Sequence, residues 1–177
     1  MNSKVTFPIF IRTFFLFPIF MIFVLVPIML LIIIASFLPY GKLIATKIYE
    51  FFGWAGLKFV GIKLIVKGAE KIDTNKSYVV VSNHPSTLDI FTHITALPVS
   101  IRFLTKTELF RIPVFGRALK VLGVPRIDRK NASANFEKIN DSISKVIKNK
   151  NSIMIFPEGK RSNQKDLLPF KKGAAYI

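Results

Sequence analysis

The residues best suited to chemistry lie in one short run, Asn83-His84-Pro85-Ser86-Thr87-Leu88-Asp89, directly after the apolar Tyr78-Val79-Val80-Val81. On one ideal helix, positions five apart diverge by about 140°, so His84 and Asp89 could not share a helix face. Pro85 disfavours helical backbone at His84, which places the imidazole on a turn. Ser86 can then cap a helix running from Thr87 to about Leu97, with Asp89 in its first turn. From there the carboxylate can reach back to the ring, fix its tautomer and stabilise imidazolium. The other ring nitrogen is left to take a proton from a hydroxyl. Ser86-x-x-Asp89 also fits a capping box, in which Asp89 only satisfies backbone donors. The seven residues alone leave both readings standing.

Two more strand ends close on charge. Ile155-Phe156-Pro157-Glu158-Gly159-Lys160-Arg161-Ser162 makes a loop rich in donors, suited to a phosphate and equally to a solvated basic turn. Gly123-Val124-Pro125-Arg126-Ile127-Asp128-Arg129 lies between the other two and closes on a charge cluster, with an Asp128–Arg129 pair that only closes a turn as the plainer alternative. The chain has no cysteine and only two histidines, His84 and His93. A disulfide scaffold, a thiolate metal site and a Cys nucleophile are thereby excluded, and no metal site is expected.

The elements that must position these loops alternate. Strand-like runs occur at 63–68, 78–83, 100–105, 124–128 and 152–157, with helix-like segments between them. The clearest helix runs from about Ala132 to Lys150, with Asn131 as N-cap and Phe136, Ile139, Ile143, Val146 and Ile147 on one face. This alternation predicts an α/β fold, a mixed sheet flanked by helices, with the YVVV and IMIF runs buried on both faces. Catalytic groups in such folds sit where strands end and loops begin.

The N-terminal third has a different character. The 177 residues are 51% hydrophobic, and between Arg12 and Lys42 no charged residue occurs. As one helix the run from Thr13 to Tyr40 would extend about 42 Å, beyond a hydrocarbon core of about 30 Å. Pro18 and Pro27 can bend it, so a hairpin is the alternative to a single span. From Gly41 to Val60, Ile44, Ile48, Phe51, Phe52, Ala55 and Phe59 recur at helical spacing opposite Lys47, Glu50 and Lys58. Such an amphipathic helix suits a membrane interface with Trp54 near the headgroups, and equally an ordinary core. The expected organisation is a membrane-anchoring helical segment over 1–60, holding an N-terminal membrane helix and an interfacial helix, followed by an α/β domain over 61–177. Lys42, Lys47, Lys58, Lys63 and Lys67 follow the apolar run, which puts that domain on the cytoplasmic face of the membrane. Twenty-six Lys and Arg against 10 Asp and Glu give a net charge of +16, and such a field favours anionic partners. Neither a recognition helix nor an aromatic sheet platform is present, so nucleic acid is not expected. Membrane lipids are.

Taken together, the three loops resemble the motifs of the glycerol-phosphate and lysophosphatidate acyltransferase family. NHPSTLD matches its Asn-His-x4-Asp motif, GVPRIDR its second and FPEGKRS its third, in the family's order and approximate spacing. FLTKTELFRIPVFGRALKVLG and LLPFKKGAA resemble the linking text, so the likeness covers about residues 60 to 177. It implies an acyltransferase of phospholipid biosynthesis that moves a fatty acyl group from acyl-CoA or acyl-carrier protein to the hydroxyl of 1-acylglycerol-3-phosphate, without a covalent enzyme intermediate and without a metal or organic cofactor. By that resemblance His84 is the general base and Asp89 its orienter. Asn83, Glu158, Gly159 and Arg161 would shape the acceptor site, and Lys106, Arg129 and Arg161 would hold the acceptor phosphate. Glycerol-3-phosphate or another lysophospholipid is the alternative acceptor, and a truncated, non-catalytic lipid-binding protein the alternative class. Lys160 stands where the family usually has threonine, adding charge beside the phosphate site. The chain stops at Ile177, ahead of the family's fourth motif, so the 61–177 domain is expected to be C-terminally incomplete.

Overall fold

A computed structural model describes residues 15, 19, 21–128, 136–162 and 166–171. Its centre is a three-stranded sheet in the order β1 (Val79–Val81), β5 (Ser152–Ile155), β2 (Ile101–Phe103), with both pairings parallel. A second pair, β3 (Thr105–Lys106) and β4 (Arg126–Ile127), is parallel as well. Instead of the expected mixed sheet, the described residues form two parallel ones. The reason is connectivity. Helix α3 (Asp89–Ala96) intervenes between β1 and β2, and α5 (Phe136–Lys148) precedes β5, so strands return in the same sense rather than through hairpins.

The central strand takes its layers from its own alternation. Ile153 and Ile155 pack with Ile139, Ile143 and Val146 of α5, while Met154 joins the core on the opposite face. That second core is shared among α1 (Val26–Ala35), α2 (Gly41–Phe59), α3 and α4 (Phe115–Val121). Helix α5 thus confirms most of its predicted face. Ile147 is 37% exposed, and Asn131, the expected cap, lies outside the described residues.

Burial on both faces holds for β5 and fails for β1, where Val79 and Val81 are exposed. Val80, on the opposite face, packs on the core, so β1 is covered on one face only among the described residues. The run 63–68 forms no strand there either. Ile65 is 74% exposed, and an apolar pattern without a partner edge cannot close a ladder.

Part of the N-terminal run, Pro18 included, lies outside the described residues. Among the described residues no helix is long and apolar enough to cross a membrane. A π-helical turn (Met21–Leu25) leads into α1, with Pro27 in its first turn, where a missing N–H does no harm. The chain then breaks at Ser36–Tyr40. Pro39 and the left-handed Tyr40 (φ 59°) end one helix and start the next, and α1 and α2 pack on each other as a hairpin. Gly41 is needed at the corner, since a Cβ there would strike the Ala35 carbonyl.

Helix α2 docks on the α/β layer through a face that hydrophobic spacing did not single out. Ala45, Tyr49, Phe52, Gly53, Gly56 and Leu57 are buried. Gly53 and Gly56 let Ile94 and Phe91 of α3 lie directly on the backbone. Of the predicted apolar stripe only Phe52 is buried. Ile44, Phe51 and Phe59 are exposed, together with Leu43 and Trp54, and α1 exposes Val26, Leu30, Leu31 and Ile34.

One buried charge ties the layers together. Arg102 of β2 is 2% exposed. It donates from Nε to the Leu122 carbonyl (2.6 Å), from Nη1 to Ser100 Oγ and the Ile101 carbonyl (both 3.0 Å), and from Nη2 to Thr46 Oγ1 of α2 (2.8 Å). The guanidinium lies over the Tyr49 ring at 5.3 Å. Burial pulls its pKa below the usual guanidinium value, and four acceptors plus an aromatic face replace the lost water.

Candidate active site

The loop after β1 carries His84, and four contacts fix it. Its backbone N–H donates to Glu158 Oε1 (3.1 Å) and its carbonyl accepts the Ser162 N–H (3.2 Å). The ring stacks on Phe156, with centroids 4.0 Å apart and planes inclined by 10°. Nδ1 donates to Asp89 Oδ2 at 2.7 Å. A carboxylate can only accept, so the proton sits on Nδ1 and Nε2 is left as the ring's proton-accepting nitrogen.

Asp89 opens α3 and is 7% exposed. Its Oδ2 also accepts the Ser86 N–H at 2.9 Å, while Ser86 Oγ accepts the Leu88 N–H at 3.1 Å. The helix begins at Asp89 rather than Thr87, with Leu88 at the N-cap position and no side-chain cap, so Ser86 does not cap it as expected. Of the capping box only the bond from the Ser86 N–H to Asp89 Oδ2 forms, and it holds the carboxylate where the imidazole needs it, at the end of a helix that favours negative charge.

Glu158 is 4% exposed, and both of its oxygens are engaged by backbone. Oε1 takes the His84 N–H and Oε2 the Leu168 N–H (3.2 Å). The carboxylate therefore ties the histidine loop to the segment after the FPEG turn. Gly159 turns with φ 71°, and a Cβ there would meet the Lys171 side chain at 2.8 Å from Cε. The Lys171 N–H in turn donates to the Pro157 carbonyl (2.9 Å). Arg161 bonds Thr87 Oγ1 through Nη1, and with Pro85, Ser86 and Thr87 it lines an open cavity of about 440 Å³. Lys160 is exposed beside it.

The remaining residues singled out from sequence are placed less tightly. Asn83 is exposed, and its carbonyl and Oδ1 lie 3.1 and 3.4 Å from Ser82 Oγ. Lys106 is exposed on β3, opposite Ile127 in the parallel register. That puts it on the second sheet, beside the GVPRIDR run, rather than on the histidine loop. Arg129 lies outside the described residues.

Sequence reasoning passed over two aromatic residues. Phe156 is the platform for His84 and meets His93 edge-on at 5.7 Å. An aromatic side chain two residues ahead of Glu158, at the end of a buried strand, was the available signal. His93 follows Asp89 by four, and that helical spacing was the only hint that its ring returns to the same turn.

Known proteins resemble this chain in family and in fold. The acyltransferase family model matches residues 63–177. A 1-acyl-sn-glycerol-3-phosphate acyltransferase of Cocos nucifera is 34% identical over 140 residues, covering 78% of this chain and 45% of that protein. The enzyme of the same name from Saccharomyces cerevisiae is 34% identical over 120 residues, covering 67% of this chain and 39% of its own length. Among solved structures, the 1-acyl-sn-glycerophosphate acyltransferase PlsC of Thermotoga maritima superposes with a TM-score of 0.63 at 28% identity, covering 81% of this chain and 58% of that one. The chain thus spans less than half the length of the two curated relatives.

Proposed function

Starting from the fact that this chain belongs to the acyltransferase family, we propose that it carries the catalytic centre for acylation of 1-acylglycerol-3-phosphate to phosphatidate, with acyl-CoA or acyl-carrier protein as donor. The observation that carries this reading is the 2.7 Å bond from His84 Nδ1 to Asp89 Oδ2, which reserves Nε2 for the acceptor. Nε2 takes the hydroxyl proton as the oxygen attacks the thioester carbonyl. The new ester bond forms, the C–S bond breaks, and the imidazolium returns its proton to the departing thiolate. Asp89 stabilises the charged ring throughout. The proton inventory closes on His84 alone, so the step is written without metal or organic cofactor.

Arg161, already at the cavity rim with Thr87, is assigned to the acceptor phosphate, with Lys106 and Arg129 as further cations. Lys160 adds charge to the same rim. Asn83 and Gly159 shape the turns on either side, and Glu158 acts through the backbone of the histidine loop. Residues 1–60 are assigned to membrane attachment and 61–177 to the acyltransferase domain, on the cytoplasmic face. The support is the exposed apolar surface of α1 and α2, from Leu30 and Ile34 to Phe51 and Trp54, with Lys58 at 6.0 Å from the Trp54 ring. An exposed apolar area of that kind beside lysines suits a lipid interface.

The test is transfer of a labelled acyl group from acyl-CoA to lysophosphatidate presented in vesicles. A positioned base contributes about 10²–10⁴-fold, so His84→Ala is expected to remove turnover of that order while vesicle binding persists. Asp89→Asn keeps the cap but no longer stabilises imidazolium, and kcat is expected to fall with it. Full activity in His84→Ala, or in both variants, overturns the mechanism.

A further inference from the structure

His93 is absent from the mechanism above, yet its ring closes the loop that contains the dyad. Nδ1 lies 2.6 Å from the Asp89 carbonyl and Nε2 lies 2.9 Å from Ser82 Oγ. The carbonyl can only accept, so Nδ1 carries the proton, and Nε2 takes the Ser82 hydroxyl proton. One bond therefore ends seven residues after Ser82 and the other on Ser82 itself, and His84 lies on the loop between the two anchor points. The third contact is with Phe156, which His93 meets edge-on at 78° while His84 stacks on it at 10°.

A histidine that bonds backward along its own helix is ordinarily a local satisfaction of a backbone group. Side chains of a helix lean toward its N-terminus, and position i+4 covers the turn before it. Here the turn reached is the one that presents the Asp89 carboxylate. Rotation of that turn would carry Oδ2 away from His84 Nδ1. The bond to Ser82 then fixes the turn relative to the end of β1, which a purely helical contact could not do. The Thr92 hydroxyl also donates to the Asp89 carbonyl, at 3.1 Å, but it reaches no other element.

We propose that His93 is a positioning residue for the His84–Asp89 dyad, locking the first turn of α3 to the end of β1 so that Oδ2 stays on Nδ1. The proposal rests on the acyl-transfer reading for its kinetic consequence and on the geometry alone for its structural one. The experiment uses the full chain and both readouts. Displacing a catalytic group by about 1 Å lowers rates by up to about 10²-fold. His93→Ala is accordingly expected to lower kcat about ten- to a hundredfold at unchanged acceptor KM. His93→Asn, whose amide N–H sits where Nδ1–H was, is expected to recover most of the loss, because the bond to the Asp89 carbonyl is the one that orients the carboxylate. His93→Gln, which keeps only the reach toward Ser82, is expected to recover less.

The second readout is the proton resonance of the His84 Nδ1–H group in isotope-edited NMR, which reports the dyad without turnover. It is expected to shift or broaden beyond detection in His93→Ala and to return in His93→Asn. Wild-type kcat in His93→Ala, or an unaltered His84 resonance there, overturns the proposal. So does an equal loss in all three variants that follows their melting temperature, since that marks a role in folding only. If the unsubstituted chain transfers no acyl group, the acyl-transfer reading falls, and the resonance still decides the role of His93.

Discussion

The loop bearing His84 and the hairpin of α1 and α2 are held by different forces, and α3 is where the two regimes meet. The loop is fastened by directional bonds at 2.7–3.1 Å, one of them from a distant segment: Glu158 to His84, Asp89 to His84 and Ser86, and His93 to Ser82. The hairpin is fastened by close apolar contact, with Phe91 and Ile94 of α3 laid on Gly56 and Gly53 of α2. Within a single helix Asp89 and His93 serve the first regime, and Phe91 and Ile94 the second. Hydrogen bonds weaken steeply with angle and so define orientation, whereas apolar burial scales with area and supplies stability with little direction. Chemistry needs the former and attachment of the helices the latter.

Substitutions on the two sides of α3 should therefore separate cleanly. The largest effect is expected at Gly56→Val, because even a Cβ at this position collides with the Phe91 ring. Overpacking of this kind destabilises by about 3 kcal/mol, read as a lower melting temperature, while kcat per folded molecule stays at the unsubstituted value. A fall in kcat of the folded fraction would break the comparison, showing that packing also sets the dyad. Arg161→Ala is next. Loss of a charge-assisted contact to phosphate is worth about 1.5–3 kcal/mol, seen as a rise of about one to two decades in acceptor KM at unchanged melting temperature. Arg161→Lys should recover part of it, lacking the planar fork. The smallest effect belongs to Thr95, whose Oγ1 is buried without a hydrogen-bond partner among the described residues. Thr95→Val should stabilise by about 1 kcal/mol in chemical denaturation and leave turnover alone. A loss of stability there would show that the hydroxyl has a partner after all.

How much of this was legible in the sequence follows the same division. The dyad could be read because its determinants are local: Pro85 keeps His84 off the helix, and Ser86 to Asp89 is a capping interval. The FPEG turn and its glycine were legible for the same reason. What the carboxylate of Glu158 does was not, since its partner His84 lies 74 residues away and no local pattern encodes a contact at that range. A similar distance hid Phe156 from His84. On the hairpin side, periodicity failed on α2 because the helix is apolar on more than one face. The face that docks is marked by small residues, Ala45, Gly53 and Gly56, which contribute little to a hydrophobic stripe. The run 63–68 has the composition of a strand, but a strand is a pairing, and composition cannot supply the partner edge.

The position of β5 between β1 and β2 also dictates an order of events during synthesis. The central strand is the last of the three to be made, so β1 and β2 have no ladder to join until Ser152–Ile155 has left the ribosome. Chains emerge at about 5–20 residues per second and fold from the N-terminus onward, while α1 and α2 bring together residues close in sequence and form early. For several seconds the nascent protein thus consists of an apolar helical hairpin and a histidine loop still waiting for Phe156 and Glu158. The exposed apolar surface of the two helices is thus complete before the His84 loop is braced.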